Sequence, residues 1–99
     1  MMKITRNMNG TALEIALEGR LDTTTAPDLE KELKDSLEAA TELTLDFGKL
    51  DYISSAGLRV LLSAHKTMAK KGGMKVVNVN EIVKEVFEVT GFADILTIE

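Results

Sequence analysis

Apolar residues recur along the chain with two different periods, and the change between them predicts the order of strands and helices. Leu13, Ile15 and Leu17 alternate with polar residues, which is the period of two of a strand with one buried face. A weaker strand over residues 2–8 precedes it, with an Asn-Gly turn at residues 9–10. The first part of the chain is therefore predicted to form a hairpin.

A helix with one packed side is predicted for residues 26–40. Thr25 is its expected N-cap, Pro27 falls in the first turn, and Asp28 lies three residues beyond the cap, as in a variant of the capping box. The apolar side of this helix consists of leucines that recur every four residues, Leu29, Leu33 and Leu37. The charged residues on its other sides are expected to face water.

A strand and a second helix follow, and two adjacent hydroxyl groups lie where one changes into the other. Residues 43–47 alternate like a central strand, and residues 48–53 are predicted to form a loop leading to Ser54 and Ser55. Beyond the serines, apolar residues recur at intervals of three and four, which predicts an amphipathic helix ended by the glycines at 72–73. One of the two serines is expected to be its N-cap.

The remaining residues predict one more strand, a third helix and a short final strand. Strands are expected over residues 74–79 and 95–98, and Asn80 and Gly91 are the expected start and stop signals of the helix between them. The apolar side of that helix is predicted to comprise Ile82, Val83, Val86, Phe87 and Val89. The order β-β-α-β-α-β-α-β predicts an α/β domain, in which a mixed sheet of four to five strands packs against about three helices.

Composition narrows the class of protein. The chain has 99 residues, a formal net charge of −4 and no cysteine, so we expect a single domain over residues 1–99 without disulfides or thiolate metal sites. The negative charge and the absence of tryptophan argue against nucleic-acid binding. No apolar run is long enough for membrane insertion and no signal-peptide pattern is present, so a cytoplasmic location is expected.

The segment Asp-Tyr-Ile-Ser-Ser-Ala-Gly-Leu-Arg-Val-Leu-Leu resembles the signature of STAS domains, a family that includes bacterial anti-sigma factor antagonists and sulfate-transporter tails. The resemblance extends over essentially the whole chain. It implies that a serine at the start of the helix is phosphorylated by a partner kinase. Alignment on Gly57 and Leu58 makes Ser55 that serine, with Ser54 as the second choice.

Two positions depart from the family's pattern. Ser54 stands where the family has an aspartate, and Arg59 stands where many members have glycine. Arg59 is expected to be a solvated surface residue, and pairing with a phosphate is the alternative.

The resemblance also implies a partner-binding face. The segment Gly-Arg-Leu-Asp at residues 19–22 resembles a family loop that lies beside the phosphorylated serine. For Asp22 the alternative is a carboxylate that bonds the local backbone, and for Gly57 it is a crowded first turn of the helix. The expected contact residues are Arg20, Leu21, Asp22, Thr24, Ser54, Ser55, Gly57 and Leu58.

A switch controlled by phosphorylation is the function that the resemblance implies. The unphosphorylated chain would bind an anti-sigma factor that is also a serine kinase of the GHKL type, and this binding would free the sigma factor. Phosphorylation would end the binding, and a PP2C-type phosphatase would restore it. The chain itself needs no cofactor in this scheme. A phosphoserine adds about −1.5 to −2 charges, which a helix N-terminus tolerates and a docked partner does not.

Catalysis fits the residues less well than binding does. Ser55 lacks the glycine two residues before it that a nucleophile elbow requires. The single histidine, His65, lies ten residues further along the predicted helix, about 15 Å away and too far to deprotonate the serine. His65 is instead expected to be a partly buried residue with its hydrogen bonds satisfied.

Two other non-enzymatic functions remain open. The chain could be an unphosphorylated STAS subunit of a lipid or sulfate transport assembly, which the replacement of the family aspartate by Ser54 favours. It could also be a scaffold domain that oligomerises in a signalling complex. The sequence leaves the oligomeric state and the identity of any sigma factor open.

Overall fold

The computed structural model describes residues 2–99 and shows a mixed five-stranded sheet with helices packed against it. The elements are β1 (Met2–Asn9), β2 (Ala12–Leu21), α1 (Ala26–Ser36), β3 (Glu42–Ile53), α2 (Ser55–Met68), β4 (Met74–Val77), α3 (Glu81–Thr90), α4 (Phe92–Ile95) and β5 (Thr97–Ile98). The predicted α/β class and element order are confirmed, with the short helix α4 as an addition. Among the helices of residues 2–99, none combines the length and the apolarity needed to cross a membrane.

The strands lie in the sheet in the same order as in the chain, β1-β2-β3-β4-β5. β1 and β2 are antiparallel, and every later neighbour is parallel, as expected for strands that flank a helix. Asn9 pairs with Ala12, so the hairpin loop is Gly10-Thr11, one residue later than predicted. Gly10 has a φ of 67°, the left-handed conformation that two-residue hairpin loops require at their first position.

β2 and β3 are both longer than the sequence pattern predicts. The predicted loop at residues 48–53 belongs to β3, and β2 continues through residues 19–21 beside it. The pairing between the two strands shifts register twice, and each shift places an extra residue in β3. Phe47, Leu50 and Ile53 are therefore all buried although they are three residues apart. A sequence pattern with a period of two does not identify this part of β3 as a strand.

The core lies between one face of the sheet and the helices. On β2, Leu13 and Ile15 are buried whereas Glu14 and Glu18 are exposed, so the alternation predicted for this strand is confirmed. The buried residues of the strands and helices form a single hydrophobic cluster. This packing fixes the ends of the strands, from which the helices begin.

The first two helices end earlier than predicted. α1 stops at Ser36 rather than near residue 40. The ammonium group of Lys71 donates hydrogen bonds to the carbonyl oxygens of three residues that follow α1. α2 stops at Met68, and Gly73, with a φ of 96°, donates its N–H to the Met68 carbonyl at 3.0 Å. The loop after α2 therefore also satisfies the carboxyl end of α1.

α3 begins and ends as predicted, but its apolar side is narrower. The Asn80 side chain accepts a hydrogen bond from Val83 N–H at 2.8 Å, and Gly91 ends the helix with a φ of 83°. Val83 is buried, whereas Ile82 is 61% and Val89 80% exposed, so the prediction that these two residues pack is wrong. At 100° per residue, positions 82 and 89 point away from the side of α3 that faces the core.

Candidate functional site

The carboxyl ends of β2 and β3 lie side by side and lead into the two helices of the site. Leu21 pairs with Ile53 in the parallel ladder, and Ser54 N–H donates to the Leu21 carbonyl at 2.9 Å. Because parallel strands end at the same edge of a sheet, α1 and α2 both start there. This edge brings the segment around Asp22 next to Ser54 and Ser55, as the resemblance implied.

Ser54, rather than Ser55, is the N-cap of α2. Ser54 has extended backbone angles, and its hydroxyl accepts from Gly57 N–H at 3.5 Å. The prediction that one of the two serines caps the helix is confirmed. Ser55 is the first residue of the helix and is exposed, and the first turn of α2 carries no acidic side chain. The positive end of the α2 dipole is therefore not offset by a carboxylate of its own first turn.

Gly57 is buried where the first turn of α2 crosses the ends of β2 and β3. A Cβ added to Gly57 would lie 2.6 Å from Leu21 Cγ and 2.9 Å from Ile53 Cγ1. The alternative prediction for Gly57, a crowded first turn, is therefore what the structure shows. Leu21 and Leu58 are 0% and 5% exposed. The side chains of these predicted contact residues hold the two strand ends and the helix together instead of lining the surface.

Asp22 and Thr25 form a reciprocal capping box that starts the turn leading into α1. Asp22 Oδ1 accepts from the N–H groups of Thr24 at 3.0 Å and Thr25 at 3.2 Å. The Thr25 hydroxyl accepts from Asp22 N–H at 2.8 Å and donates to the Arg20 carbonyl at 2.8 Å. The predicted box of Thr25 with Asp28 is wrong, because the buried Thr25 side chain points back to β2 and makes no cap bond to α1.

The hydrogen bonds to Asp22 also keep its carboxylate ionised. The Thr24 hydroxyl, 2.7 Å from Asp22 Oδ1, is the main cause that lowers the pKa of Asp22, and bonds from the Thr24 and Thr25 backbone and the Thr25 hydroxyl add to it. Desolvation acts in the opposite direction and is outweighed. The alternative predicted for Asp22, a carboxylate bonded to the local backbone, is confirmed.

Arg20 extends the site along the end of the sheet. Its Nε lies 3.7 Å from Asp22 Oδ2, and its guanidinium carbon lies 4.6 Å from the centroid of the Tyr52 ring. Tyr52 was missed as a site residue. Its position immediately before the apolar Ile53 could have indicated it, because neighbouring strand residues face opposite sides and Tyr52 pairs with Arg20 across the ladder.

Six of the polar side chains that reach solvent around this edge are here called the serine surface. Its residues are Arg20, Asp22, Thr24, Tyr52, Ser54 and Ser55. It contains two hydroxyl-bearing serines, one arginine and one ionised carboxylate. Such a surface suits hydrogen bonding to a protein partner.

His65 lies outside the serine surface. It is on α2, ten residues after Ser55 and hence about 15 Å along the helix axis. Its Nδ1 atom is buried and has no hydrogen-bond partner among the described residues, so the prediction of a satisfied histidine is wrong. At this distance His65 cannot act as a base for Ser55.

A family model described as the STAS domain matches residues 3–99. The chain belongs to the STAS domain family. This STAS domain is 36% identical over 99 residues to BtrV of Bordetella bronchiseptica, which is named as an anti-sigma factor antagonist; the match covers 98% of the chain and 85% of BtrV. It is 30% identical over 91 residues to the anti-sigma-B factor antagonist of Bacillus subtilis, covering 91% and 84% of the two chains.

Solved structures share the fold of this STAS domain. An anti-sigma factor antagonist from Mycobacterium paratuberculosis superimposes with a TM-score of 0.89 at 19% identity, over 99% of this chain and 85% of that one. The likeness confirms the α/β fold that the order of strands and helices predicted and that the resemblance to STAS domains implied.

Proposed function

We propose that this STAS domain is an anti-sigma factor antagonist whose binding is switched off by phosphorylation of Ser55. In its unphosphorylated form it binds an anti-sigma factor that is also a GHKL-type serine kinase, and the sigma factor is then free to direct transcription. The kinase ends the complex by phosphorylating Ser55, and a PP2C-type phosphatase restores it. The chain acts as a binding partner and a kinase substrate, and catalyses no reaction itself.

The observation that carries this proposal is the exposed Ser55 at the start of α2, next to the capping residue Ser54. Ser54 already caps the helix, so Ser55 can be modified without loss of the cap. The relatives from Bordetella and Bacillus are both named as anti-sigma factor antagonists, which favours this function over a transport subunit.

A phosphate on Ser55 acts on the interface and leaves the fold in place. It brings about −1.5 to −2 charges to the positive end of α2, where the dipole favours an anion. A partner that packs over the serine surface would have to bury that charge, which is costly without a matching cation. The same modification is therefore tolerated by the free protein and disfavoured in the complex.

The proposed contact residues divide into two groups. Arg20, Asp22, Thr24 and the two serines present side chains to the partner, whereas the buried Leu21, Gly57 and Leu58 hold the backbone that carries them. Substitution in the first group is expected to weaken partner binding with little effect on folding. Substitution in the second group is expected to destabilise the domain.

The test is a pull-down from the native host in the presence of ATP, with the wild type, Ser55→Ala, Ser55→Asp and Ser63→Asp as baits. Ser63 is an exposed serine on the same helix, eight residues later, so Ser63→Asp adds the same charge away from the serine surface. The wild type, Ser55→Ala and Ser63→Asp are expected to retain an ATP-binding kinase, and Ser55→Asp to lose it. The intact mass of the wild type should rise by one phosphate located at Ser55.

Other outcomes would reject the proposal. Equal recovery of a permease or a scaffold protein by all four baits, with no added phosphate, would identify a structural STAS subunit. Modification of Ser54 in place of Ser55 would reject Ser55 as the phosphorylation site, although phosphorylation would still control binding. Loss of the kinase with Ser63→Asp as well would show that charge anywhere on α2 is enough, and would remove the role of the serine surface.

A further inference from the structure

Arg59 lies one helical turn after Ser55 on α2. Residues four positions apart on a helix share a face, with Cβ atoms about 5–6 Å apart. Both Ser55 and Arg59 are exposed. A guanidinium on the long arginine side chain therefore reaches a group attached to the Ser55 hydroxyl without any change in the backbone.

The two arginines near the serine surface differ in their partners. Arg20 is engaged by the Asp22 carboxylate and by the Tyr52 ring. Arg59 borders a depression of about 180 Å³ between α1 and α2, whose lining includes one acidic residue, Glu30. Within residues 2–99, the ion pairs shorter than 4.0 Å do not include Arg59. Of the two guanidinium groups, that of Arg59 is the one without a carboxylate partner.

The position of Arg59 in the helix strengthens this contrast. The first turn of α2 contains no acidic side chain, so its free N–H groups have no anion beside them, and Arg59 lies one turn further along the helix. An anion at Ser55 would interact favourably with both the dipole and the guanidinium. A phosphate on Ser55 would thus be stabilised by both the N-terminus of α2 and the positive charge of Arg59.

We propose that Arg59 binds the phosphate carried by Ser55, through paired hydrogen bonds from its guanidinium group. This inference rests on the proposed function, because it requires that Ser55 be modified. The planar guanidinium suits two phosphate oxygens at once. The phosphate is then held in one place over the start of α2, where its bulk and the negative charge that one guanidinium leaves unbalanced occupy the surface on which the partner would dock.

The test uses protein with phosphoserine encoded at position 55 during synthesis, so that no kinase is needed. The pKa of the second phosphate ionisation is measured by ³¹P NMR in four backgrounds: wild type, Arg59→Gln, Arg20→Gln and Lys66→Gln. Each glutamine variant removes one positive charge, and Lys66 lies on the same helix, further from Ser55. The acidic residues in the neighbouring segments, Glu30 on α1 and Asp22 directly after β2, are unchanged in all four proteins.

Arg59→Gln is expected to raise the phosphate pKa by about half a unit relative to the wild type, which is the effect of losing one partly exposed ion pair. Arg20→Gln and Lys66→Gln are expected to raise it by less than about 0.2 units, because their charges are engaged or distant. The Nε–H signal of Arg59 should also move between the unmodified and the phosphorylated wild type. Unmodified Arg59→Gln controls for folding and is expected to melt like the wild type, because Arg59 is exposed.

Equal phosphate pKa values in the wild type and Arg59→Gln would overturn the proposal, and so would a shift produced by Arg20→Gln alone. These results are separable from those of the pull-down. If no kinase modifies Ser55 but the encoded phosphate pairs with Arg59, the proposed function fails and the pairing stands. If the kinase modifies Ser55 and Arg59→Gln changes nothing, the pairing fails and the switch stands.

Discussion

The variant Gly57→Ala tests whether the first turn of α2 packs tightly against the ends of β2 and β3 beneath the serine surface. The added Cβ would lie 2.6 Å from Leu21 Cγ, about 1 Å inside the 3.5–4.0 Å separation at which carbon atoms attract. Leu21 and Ile53 are both fully buried and cannot swing into solvent. The first turn of α2 must therefore move away from the strand ends, or the leucine must leave its preferred rotamer.

The magnitude follows from two opposing effects. Overpacking a core site costs about 1–3 kcal/mol, and replacing glycine by alanine in a helix gains up to about 1 kcal/mol. We expect a net loss of about 1–2 kcal/mol in the free energy of unfolding, measured by urea denaturation followed by circular dichroism. In a domain of this size, each kcal/mol of lost stability lowers Tm by about 4–8 °C. The m-value should not change.

Two further variants show whether this contact is the cause. Gly48→Ala is the control, since the nearest atom to its added Cβ is Asp46 Oδ1 at 3.1 Å, which accepts hydrogen bonds from Gly48 N–H and Asn78 Nδ2 and needs to shift by only a few tenths of an ångström. It is expected to change stability by less than about 0.5 kcal/mol. Leu21→Ala removes the Leu21 atoms that lie nearest to the added Cβ and leaves Ile53 Cγ1 at 2.9 Å, so the double variant should be less destabilised than the sum of the two singles, by about 1 kcal/mol.

The outcome that refutes the reasoning is a Gly57→Ala protein as stable as the wild type or more so. The helix gain would then exceed the packing cost, which would mean that α2 does not press closely on the ends of β2 and β3. Strict additivity in the double variant would equally remove Leu21 as the neighbour that matters.

Two other predictions concern the ends of α1. Lys71→Met removes an ammonium group that donates to three carbonyls after α1, and should lower the free energy of unfolding by about 1–2 kcal/mol in urea denaturation. The neighbouring control Lys70→Met should lower it little. Equal losses in the two variants would disprove the capping role of Lys71. Because folding lowers the pKa of Asp22, its contribution to stability is present above the unfolded pKa of about 3.9 and is lost as pH falls through the lower folded value. The urea midpoint of Asp22→Asn should therefore fall less steeply below pH 5 than that of the wild type, and parallel curves would contradict this.

Strands and helices with regular periods were predictable from the sequence, and those with altered periods were not. Leu13 and Ile15 keep the period of two, so β2 was recognised. β3 was cut short because its register shifts change the spacing of buried residues to three between Phe47, Leu50 and Ile53. Bulges depend on the partner strand, which a local pattern does not contain.

The residues of the site were predicted in part. The signature placed Ser54 and Ser55 at a helix start, and the structure confirms that start and assigns the cap to Ser54. It could not show that Asp22 and Thr25 cap each other, because both positions also fit other turns. Nor could it show the stacking of Arg20 on Tyr52, which arises only when β2 and β3 pair.

The identity of sheet order and chain order has a consequence for how the domain forms. Each new strand adds to the edge formed by the strand before it, so paired residues are at most 32 positions apart (Leu21 and Ile53) and no step requires an earlier edge to be reopened. Synthesis from the N-terminus proceeds in the same direction. The residues of the serine surface, with Arg59 beside them, all lie within residues 20–59, so this surface can be assembled from β2, α1, β3 and the first turns of α2 while the last strands are still being made.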